Sequence, residues 1–520
     1  MDPIELNIFA SRLGAVCDEM GVVLRNAAFS PNIRDRLDFS CAVFDARGEL
    51  CAQAAHIPVH LGSMAYAMAG IVSSVEWHSG DIVVLNDPFL GGTHLPDVTL
   101  IAPLFFDGRL SAFLVNRAHH ADIGAGSPGS MPVSRTLEQE GRVIPPGKLV
   151  RAGVVDRDFL RQITGENRSP QESEGDFAAQ ISANRSGLKR LHRLIGEWGS
   201  EAFLRGLAAL NSYAERLARD ALKRIPVGEY RFEDVMDDDG QGNGDIPIHV
   251  RLAVNPDHIL ADFTGTAPQV PGNINCPVSV AAAAVYYVFR CLMPSRTPAC
   301  AGSFRSIHLN APEGSLLNAT RPAAVAAGNV ETGTRVVDVV LGALAQALPD
   351  EVPAASHGSM NNVAMGSDSD ASGWDYYETI GGGMGAGRNG GGLDGVQTHM
   401  TNTLNTPIEV IEARFPVRLE GYGLRSGSGG KGARCGGEGL IRTFRFLAPT
   451  QVTLLTERRN HQPWGSCGGM PGRVGVNSHN GKQLPAKVSL MAETGDVLTI
   501  ETPGGGGWGV MPEDGECCDP

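Results

Sequence analysis

Residues 97–120 read DVTLIAPLFFDGRLSAFLVNRAHH. Two runs of strand-forming residues, 97–106 and 110–118, flank the pair Asp107-Gly108. An Asp-Gly pair between two such runs is a strong signal for a tight turn that joins antiparallel strands. The stretch therefore predicts a β-hairpin, and a hairpin brings the residues before its first strand next to those after its second strand.

Both ends of this hairpin carry residue types that bind metals or move protons. The segment THLPD supplies His94 and Asp97 at the start of the first strand, and the segment RAHHADIG supplies His119, His120 and Asp122 after the second. Two imidazoles and one carboxylate should therefore converge, and such mixed ligands suit zinc, manganese or iron(II) without selecting among them. Asp87, in the same loop as His94, is a further residue of a type that binds metals. The alternatives are that Asp87 only initiates a turn before Pro88 and that His94 is a hydrogen-bonded core histidine.

A second carboxylate for this site is available in the segment RDRLDFSCAVFD. Asp38 stands at the start of the predicted strand 39–45, and functional sites are often assembled at strand ends. Asp35 and Asp45 are the local alternatives, and most aspartates of a globular protein lie on its surface. The residues alone leave this choice open.

The composition of the chain excludes several classes of protein. Its 520 residues contain 43 Lys and Arg against 57 Asp and Glu, a net charge of −14, which disfavours binding to nucleic acid or to an anionic membrane. The longest apolar run, 278–289, is well short of the roughly 20 residues of a membrane span. The N-terminus lacks the basic start of a secretory signal. We therefore expect a cytoplasmic protein whose partners are small molecules or another protein.

Familiar cofactor and metal motifs are absent. No CxxC pair occurs among the ten cysteines, which we expect to be reduced and not to form a zinc cluster. The segment GAGSPG (124–129) fits the dinucleotide-binding pattern only in its letters, because Pro128 stands where the first helical turn should form. The segment SGSGGKGA (426–433) ends in Gly-Lys-Gly and is not a P-loop. ATP, if needed, is bound elsewhere or by another fold.

The periodicity of the apolar residues predicts helices and strands along the whole chain. Asp2 and Pro3 begin an amphipathic helix that ends before Ser30-Pro31. We expect helices at 3–29, 176–225 (two helices), 279–292 and 334–348, and strands at 39–45, 81–87, 97–106, 110–118 and within 251–266.

These elements predict an α+β class and a multi-domain enzyme subunit. Glycine dominates the sequence from residue 381 onward and indicates a β-rich part with many loops. The predicted divisions are an N-terminal metal-site domain (1–175), a helical segment (176–228), a middle α/β domain (229–380), a Gly-rich C-terminal β domain (381–510) and a disordered tail (511–520).

Several long segments resemble the hydantoinase B family. That family includes the smaller subunit of ATP-dependent N-methylhydantoinases, the corresponding half of 5-oxoprolinase, a caprolactamase subunit and a subunit of acetone carboxylase. The resemblance runs from about residue 5 to residue 509. The segments that carry it are NDPFLGGTHLPDVTL, RAHHADIG, RLDFSCAVFD, NRSPQESEGDFAAQISANR, DFTGTAPQVPGNINCP, RPAAVAAGNVETGTRVVDVVLGALAQALP, HMTNTLNTPIEVIE and RSGSGGKGARCGGEG.

The resemblance implies a ligand set and a division of labour between subunits. The implied ligands of one divalent metal are Asp38, His94, Asp97 and His119. A larger A-type subunit would bind ATP and phosphorylate the oxygen of a cyclic amide such as a hydantoin, 5-oxoproline or a lactam. The present chain would then complete the ring opening with a metal-activated water, so we expect a hetero-oligomer.

Two further residues of the RAHHADIG segment are candidates for catalysis. His120 could pass a proton to the departing nitrogen, and Asp122 could orient a ligand imidazole by accepting its second N–H. In a His-His pair, however, one ring often faces away from the site.

Two other functions remain open from the sequence. The first is a ketone carboxylase subunit of the acetone or acetophenone type, in which an enolate attacks the activated species instead of water. The second is a non-catalytic scaffold subunit whose metal only stabilises the fold.

Overall fold

The computed structural model describes residues 1–54, 57–367 and 373–511. Helices and several sheets are mixed along the chain, which confirms the α+β class. The helices in these ranges are α1 (Pro3–Ala27), α2 (Pro31–Arg34), α3 (His60–Ser74), α4 (Arg157–Thr164), α5 (Pro170–Trp198), α6 (Ser200–Leu222), α7 (Val278–Cys291), α8 (Gly333–Ala347) and α9 (Ile408–Arg414). All of the predicted tail except residue 511 lies outside the described residues.

The strands form four sheets in the described ranges. They are β1 (Phe39–Asp45), β2 (Leu50–Ala54), β3 (Ile82–Leu85), β4 (Asp97–Phe106), β5 (Arg109–His119), β6 (Gly147–Arg151), β7 (Val154–Val155), β8 (Gly228–Asp238), β9 (Gly244–Val254), β10 (Ile259–Asp262), β11 (Ile307–Asn310), β12 (Asn362–Ser367), β13 (Trp374–Glu378), β14 (Val417–Arg425), β15 (Gly439–Phe446), β16 (Thr450–Leu455), β17 (Val476–His479), β18 (Lys482–Leu484), β19 (Lys487–Ala492) and β20 (Val497–Glu501).

The predicted hairpin is confirmed as β4 and β5, at the centre of a seven-stranded antiparallel sheet with the order β2-β1-β5-β4-β3-β6-β7. Asp107 and Gly108 have φ values of 48° and 75°, as a tight hairpin turn requires. Near the turn, Phe105 pairs with Leu110, whereas farther along the register has shifted by one residue. This bulge brings Asp97 directly opposite His119.

Helices cover both faces of this sheet. Successive strand residues point to opposite sides, so the apolar side chains of a strand need cover on each face. On one face, apolar residues of β1 and β5 such as Val43 and Leu114 pack against α1, α5 and α6. On the other face, Phe44 and Phe113 pack against Met68 of α3. Both faces are therefore apolar, and the strands read as continuous hydrophobic runs rather than as a clean alternation.

The predicted first helix is confirmed, and its start follows from its first residues. The Asp2 carboxylate accepts hydrogen bonds from the backbone N–H groups of Ile4 (2.8 Å) and Glu5 (2.9 Å), and Pro3 occupies the first turn. The second helical region also forms, but α5 begins at Pro170, six residues before the predicted start. The reason is again a proline that suits a first helical turn.

The middle of the chain packs two helices on a second sheet. This four-stranded sheet has the order β11-β10-β9-β8, and α7 and α8 lie in the same hydrophobic core as its apolar residues. The predicted strand region 251–266 divides into the end of β9 and β10, with a turn between them. A turn of π-helix, Gly328–Thr332, leads into α8.

Two further sheets, with the orders β13-β12-β16-β19 and β14-β15-β20-β17-β18, share one core in the C-terminal part. β12 and β13 precede residue 380, so the predicted boundary there divides a sheet. The other domain boundaries stay predictions.

The sequence led us to expect no membrane span and only reduced cysteines. None of the helices within the described ranges is long and apolar enough to cross a membrane. The expectation of reduced cysteines holds for the seven described free thiols but is wrong for Cys435, which is disulfide-bonded.

The glycine-rich segments lie outside the strands and pack backbone against backbone. The amide of Gly505 donates to the carbonyl of Gly437, whose own amide donates to the carbonyl of Met384. A Cβ atom on Gly505 would lie 2.0 Å from the Met384 oxygen, which is far closer than two non-bonded atoms can approach. Glycine is therefore needed at such backbone contacts, where no side chain fits.

We expect Gly505→Ala to destabilise the protein by about 3 kcal/mol, the upper end of the usual range for overpacking, because the backbone must move apart to admit the methyl group. Differential scanning calorimetry of purified variants measures this effect. Gly423→Ala is the matched control, since no atom lies within 4 Å of its added Cβ. Equal melting temperatures for the two variants would contradict the close-packing argument.

Candidate metal centre

The hairpin and the loop before it bring His94, Asp97 and His119 together. Asp97 and His119 are paired residues of β4 and β5. The loop before them bends at Gly91, which has a φ of 93° and lies so close to α3 that a Cβ would come within 2.3 Å of the Ala67 backbone. Glycine at this position therefore lets the chain turn against α3 and direct His94 inward.

The three side chains form a compact, buried cluster. Oδ1 of Asp97 lies 3.2 Å from Nε2 of His94 and 3.3 Å from Nδ1 of His119. One potential ligand atom from each residue lies within 4.8 Å of the other two. The His119 ring stacks on Tyr377 of β13, with centroids 4.8 Å apart and planes at 10°. The cluster is therefore held between the first sheet and the C-terminal part.

The unpaired atoms of the cluster fit a divalent metal. Nε2 of His94, Nε2 of His119 and Nε2 of the neighbouring His60 are buried, and none of the three forms a hydrogen bond among the described residues. Most buried polar atoms in proteins have a partner, so orphaned nitrogens in one place indicate a missing ligand. The cavity at the cluster has a volume of about 20 Å³, which is room for one ion or water. Two imidazoles and a carboxylate suit zinc, manganese or iron(II).

A second contact fixes the orientation of His94. Nδ1 of His94 lies 3.4 Å from the carbonyl oxygen of Ala326. A proton on Nδ1 would donate to this carbonyl and leave Nε2 free to bind a metal, as in many metal-binding histidines. The amides of Val325 and Ala326 in turn donate to the buried carboxyl group of Glu140, at 2.9–3.0 Å.

Burial and charge set the protonation of the three residues. Burial alone would raise the pKa of Asp97, but the neighbouring His94, His119 and His60 outweigh it, and the pKa lies well below its usual range. Burial lowers the pKa of His119. For His94 the Asp97 carboxylate outweighs burial, so its pKa is raised. The cluster thus contains one stable carboxylate anion.

Asp38, the predicted fourth ligand, lines the same cavity but lies outside the three-residue cluster. Its Oδ2 is 3.9 Å from Nη2 of the buried Arg36. Its carbonyl oxygen accepts the backbone N–H of His119 at 3.0 Å, so it supports the strand end that carries this ligand. Metal binding by Asp38 stays a prediction.

The structure does not bring His120 and Asp122 to the cluster. Nε2 of His120 lies 2.9 Å from Oε1 of Gln180, and its ring packs on Phe177, because successive residues at the end of β5 point to opposite sides. Asp122 accepts the backbone N–H groups of Gly124 (2.7 Å) and Arg168 (2.6 Å). Both residues line a separate cavity of about 180 Å³.

These contacts do not support the roles predicted for the pair. Asp122 holds loop backbone rather than a ligand imidazole, and Ala326 takes the orienting role at His94. Proton transfer by His120 stays a prediction without a contact to the cluster.

Sequence reasoning missed His60 and Tyr377. His60 is the first residue of α3, and its Nε2 lies 3.4 Å from Oδ2 of Asp97. The one signal for it was a histidine in the apolar segment IPVHLGSM. Tyr377 stands in a strand-like run with no sign of its distant partner.

With the site described, comparison with known proteins identifies the family. The family model described as hydantoinase B/oxoprolinase matches residues 2–511. The chain belongs to the hydantoinase B/oxoprolinase family. The resemblance seen in the sequence segments is thereby confirmed over nearly the whole chain.

Individual members of the hydantoinase B/oxoprolinase family agree with this assignment. The chain is 39% identical to 5-oxoprolinase 1 of Arabidopsis thaliana over 98% of its own length and 42% of the relative's length. It is 33% identical to a candidate B-type subunit of a D-/L-hydantoinase from a Pseudomonas species, over 98% and 90%. The crystal structure of the ATP-dependent caprolactamase from Pseudomonas jessenii superposes with a TM-score of 0.91 at 27% identity, over 99% of this chain and 93% of that one. The chain thus spans less than half the length of the 5-oxoprolinase.

We expect His94→Ala to weaken binding of Mn²⁺ or Zn²⁺ by more than about 100-fold, because loss of a direct ligand costs more than the 10–100-fold typical of an outer contact. Isothermal titration calorimetry of the metal-free protein measures the affinity, and the large core should keep the chain folded. His120→Gln is the control, since it removes a buried imidazole outside the cluster. Unchanged affinity in His94→Ala would exclude this metal centre.

A pH dependence is expected from Glu140, whose burial raises its pKa from 4.5 to about 7. A raised folded-state pKa means that the stabilising contribution is complete below pH 4.5 and is lost as the pH rises through 7. In the metal-free protein, the melting temperature of Glu140→Gln should therefore fall less over this interval than that of the wild type. Glu138→Gln, at an exposed neighbour, should behave as the wild type does.

Proposed function

We propose that this chain is the B-type subunit of an ATP-dependent hydrolase that opens cyclic amides. The observation that carries the proposal is the buried His94–Asp97–His119 cluster with its two unpartnered nitrogens. Relatives named 5-oxoprolinase and ATP-dependent caprolactamase support the substrate class, since 5-oxoproline and caprolactam are both lactams.

The chemistry explains why two activities are needed. Resonance makes an amide carbonyl a poor electrophile, so water adds to it slowly. Phosphorylation of the amide oxygen by ATP would turn that oxygen into a leaving group and make the carbon more electrophilic. Addition of a first water and cleavage of the ring C–N bond then give an amine and an acyl phosphate. A second water hydrolyses the acyl phosphate to a carboxylate and inorganic phosphate, so a lactam yields an amino acid.

The residues of this chain would provide the second half of that reaction. His94, Asp97 and His119 would hold one divalent metal, and when bound such a metal lowers the pKa of a water ligand towards neutrality. Asp97 contributes a permanent negative charge, and Tyr377 fixes the plane of the His119 ring. The cavity at the cluster, about 20 Å³, has room for the ion or for one water.

A partner would provide the ATP-dependent half. The chain has no P-loop sequence, and the 5-oxoprolinase relative is more than twice as long as the part that this chain matches. We propose that an A-type ATP-binding subunit supplies that function in a cytoplasmic hetero-oligomer.

Co-expression with an A-type subunit tests this function. The assay follows ATP-dependent ring opening of 5-oxoproline, hydantoin, N-methylhydantoin and simple lactams. We expect activity that requires both subunits and ATP and that His94→Ala abolishes without lowering the melting temperature. Full activity of the purified chain alone would contradict the need for a partner.

Two controls separate the alternatives. A carboxylated ketone that forms only with bicarbonate would indicate a ketone carboxylase subunit. Full activity in a metal-free His94→Ala complex would indicate that the site only stabilises the fold.

A further inference from the structure

Three imidazoles, not two, surround the Asp97 carboxylate. We propose that His60 is a positioning residue of the metal centre, which holds the outer oxygen of Asp97 so that the inner oxygen faces the ion. This inference rests on the metal-binding role proposed for the cluster.

The two oxygens of Asp97 have different surroundings. Oδ1 faces His94 and His119, at 3.2 and 3.3 Å. Oδ2 accepts a hydrogen bond from the Thr93 hydroxyl and lies 3.4 Å from Nε2 of His60. Oδ1 is therefore the oxygen placed to bind the ion, whereas Oδ2 contacts other protein side chains.

The surroundings of His60 set its orientation. Its side chain is 1% exposed, and its Nδ1 lies 2.9 Å from the hydroxyl oxygen of Ser40. The Ile57 amide donates to that same oxygen at 3.4 Å, so the hydroxyl proton is available to His60 Nδ1. With Nδ1 as an acceptor, a neutral imidazole carries its proton on Nε2, the nitrogen that lies 3.4 Å from Oδ2 of Asp97.

Nε2 of His60 is buried and forms no hydrogen bond within the described residues, and it lies 3.4 Å from Oδ2 of Asp97. Its place at the first residue of α3, which packs on the sheet through Met64 and Met68, fixes the ring relative to β4 and β5. The contact therefore links a rigid helix start to the central carboxylate of the site.

The geometry favours positioning over direct ligation. The cluster whose ligand atoms lie within 4.8 Å of one another contains His94, Asp97 and His119, and His60 lies on the Oδ2 side, outside it. A carboxylate whose Oδ2 accepts from Thr93 and lies beside the buried His60 ring cannot rotate freely. It binds the ion through Oδ1 with little further ordering, and such outer contacts typically change metal affinity 10–100-fold.

Mn²⁺ titration of the purified full-length chain, without partner or substrate, tests the proposal. We expect His60→Ala to weaken Mn²⁺ binding about 10–100-fold while the stoichiometry stays at one ion. His60→Gln keeps an N–H donor near Oδ2 and should recover most of the affinity. Ser40→Ala, which removes only the hydroxyl that sets the tautomer, should have a smaller effect than His60→Ala. His120→Gln, outside the cluster, should bind Mn²⁺ as the wild type does.

Pulsed electron paramagnetic resonance provides a readout that a purely structural role would not produce. The number of imidazole nitrogens coupled to Mn²⁺ should be the same in wild type and His60→Ala, and it should fall by one in His94→Ala. Melting temperatures of the metal-free variants show whether each one is folded.

The outcomes separate the inference from the function on which it rests. Wild-type affinity in His60→Ala, together with lost affinity in His94→Ala, would overturn the positioning role and leave the metal centre intact. Loss of one coupled nitrogen in His60→Ala, without recovery in His60→Gln, would make His60 a ligand and also overturn the inference. Unchanged affinity in His94→Ala would remove the metal centre itself.

Discussion

The pairing of Asp97 with His119 is the constraint on which the site depends. Strand residues alternate between the two faces of a sheet, so in the register next to the turn Asp97 would lie opposite Ala118 and His119 would point to the other face. The bulge near the Asp107-Gly108 turn shifts this register by one residue. A local irregularity some seven residues from the site thus brings the His119 imidazole to the carboxylate.

Burying a carboxylate and three imidazoles is costly unless each finds a partner. Asp97 lies at the centre of this arrangement and compensates the burial of its neighbours through one negative charge. Nε2 of each of the three imidazoles remains without a hydrogen bond among the described residues, and a divalent ion would satisfy those of His94 and His119. Buried nitrogens without a partner lower the stability of the fold, and in this protein the same nitrogens are the proposed metal ligands.

The site also joins parts of the chain that are far apart in sequence. Ala326 beside the π-helical turn orients His94, and Tyr377 of β13 supports His119. Arg36 connects β13 to the start of β1, because its guanidinium donates to the Tyr377 carbonyl and lies near Asp38. Farther away, the glycine-rich segments hold the C-terminal part together through backbone contacts that leave no space for side chains.

The sequence by itself determined the elements and most of the ligand set. The Asp-Gly turn, the capped first helix and the apolar periods are local signals, and the hairpin alone implied that His94 and Asp97 meet His119. Only the tertiary structure decided the rest. It separated His119 from His120, moved Asp122 to a loop, placed Asp38 beside Arg36 and brought His60 and Tyr377 to the site. These choices depend on strand register and on contacts between residues far apart in the chain, such as His119 and Tyr377, and no local pattern of side chains encodes such contacts.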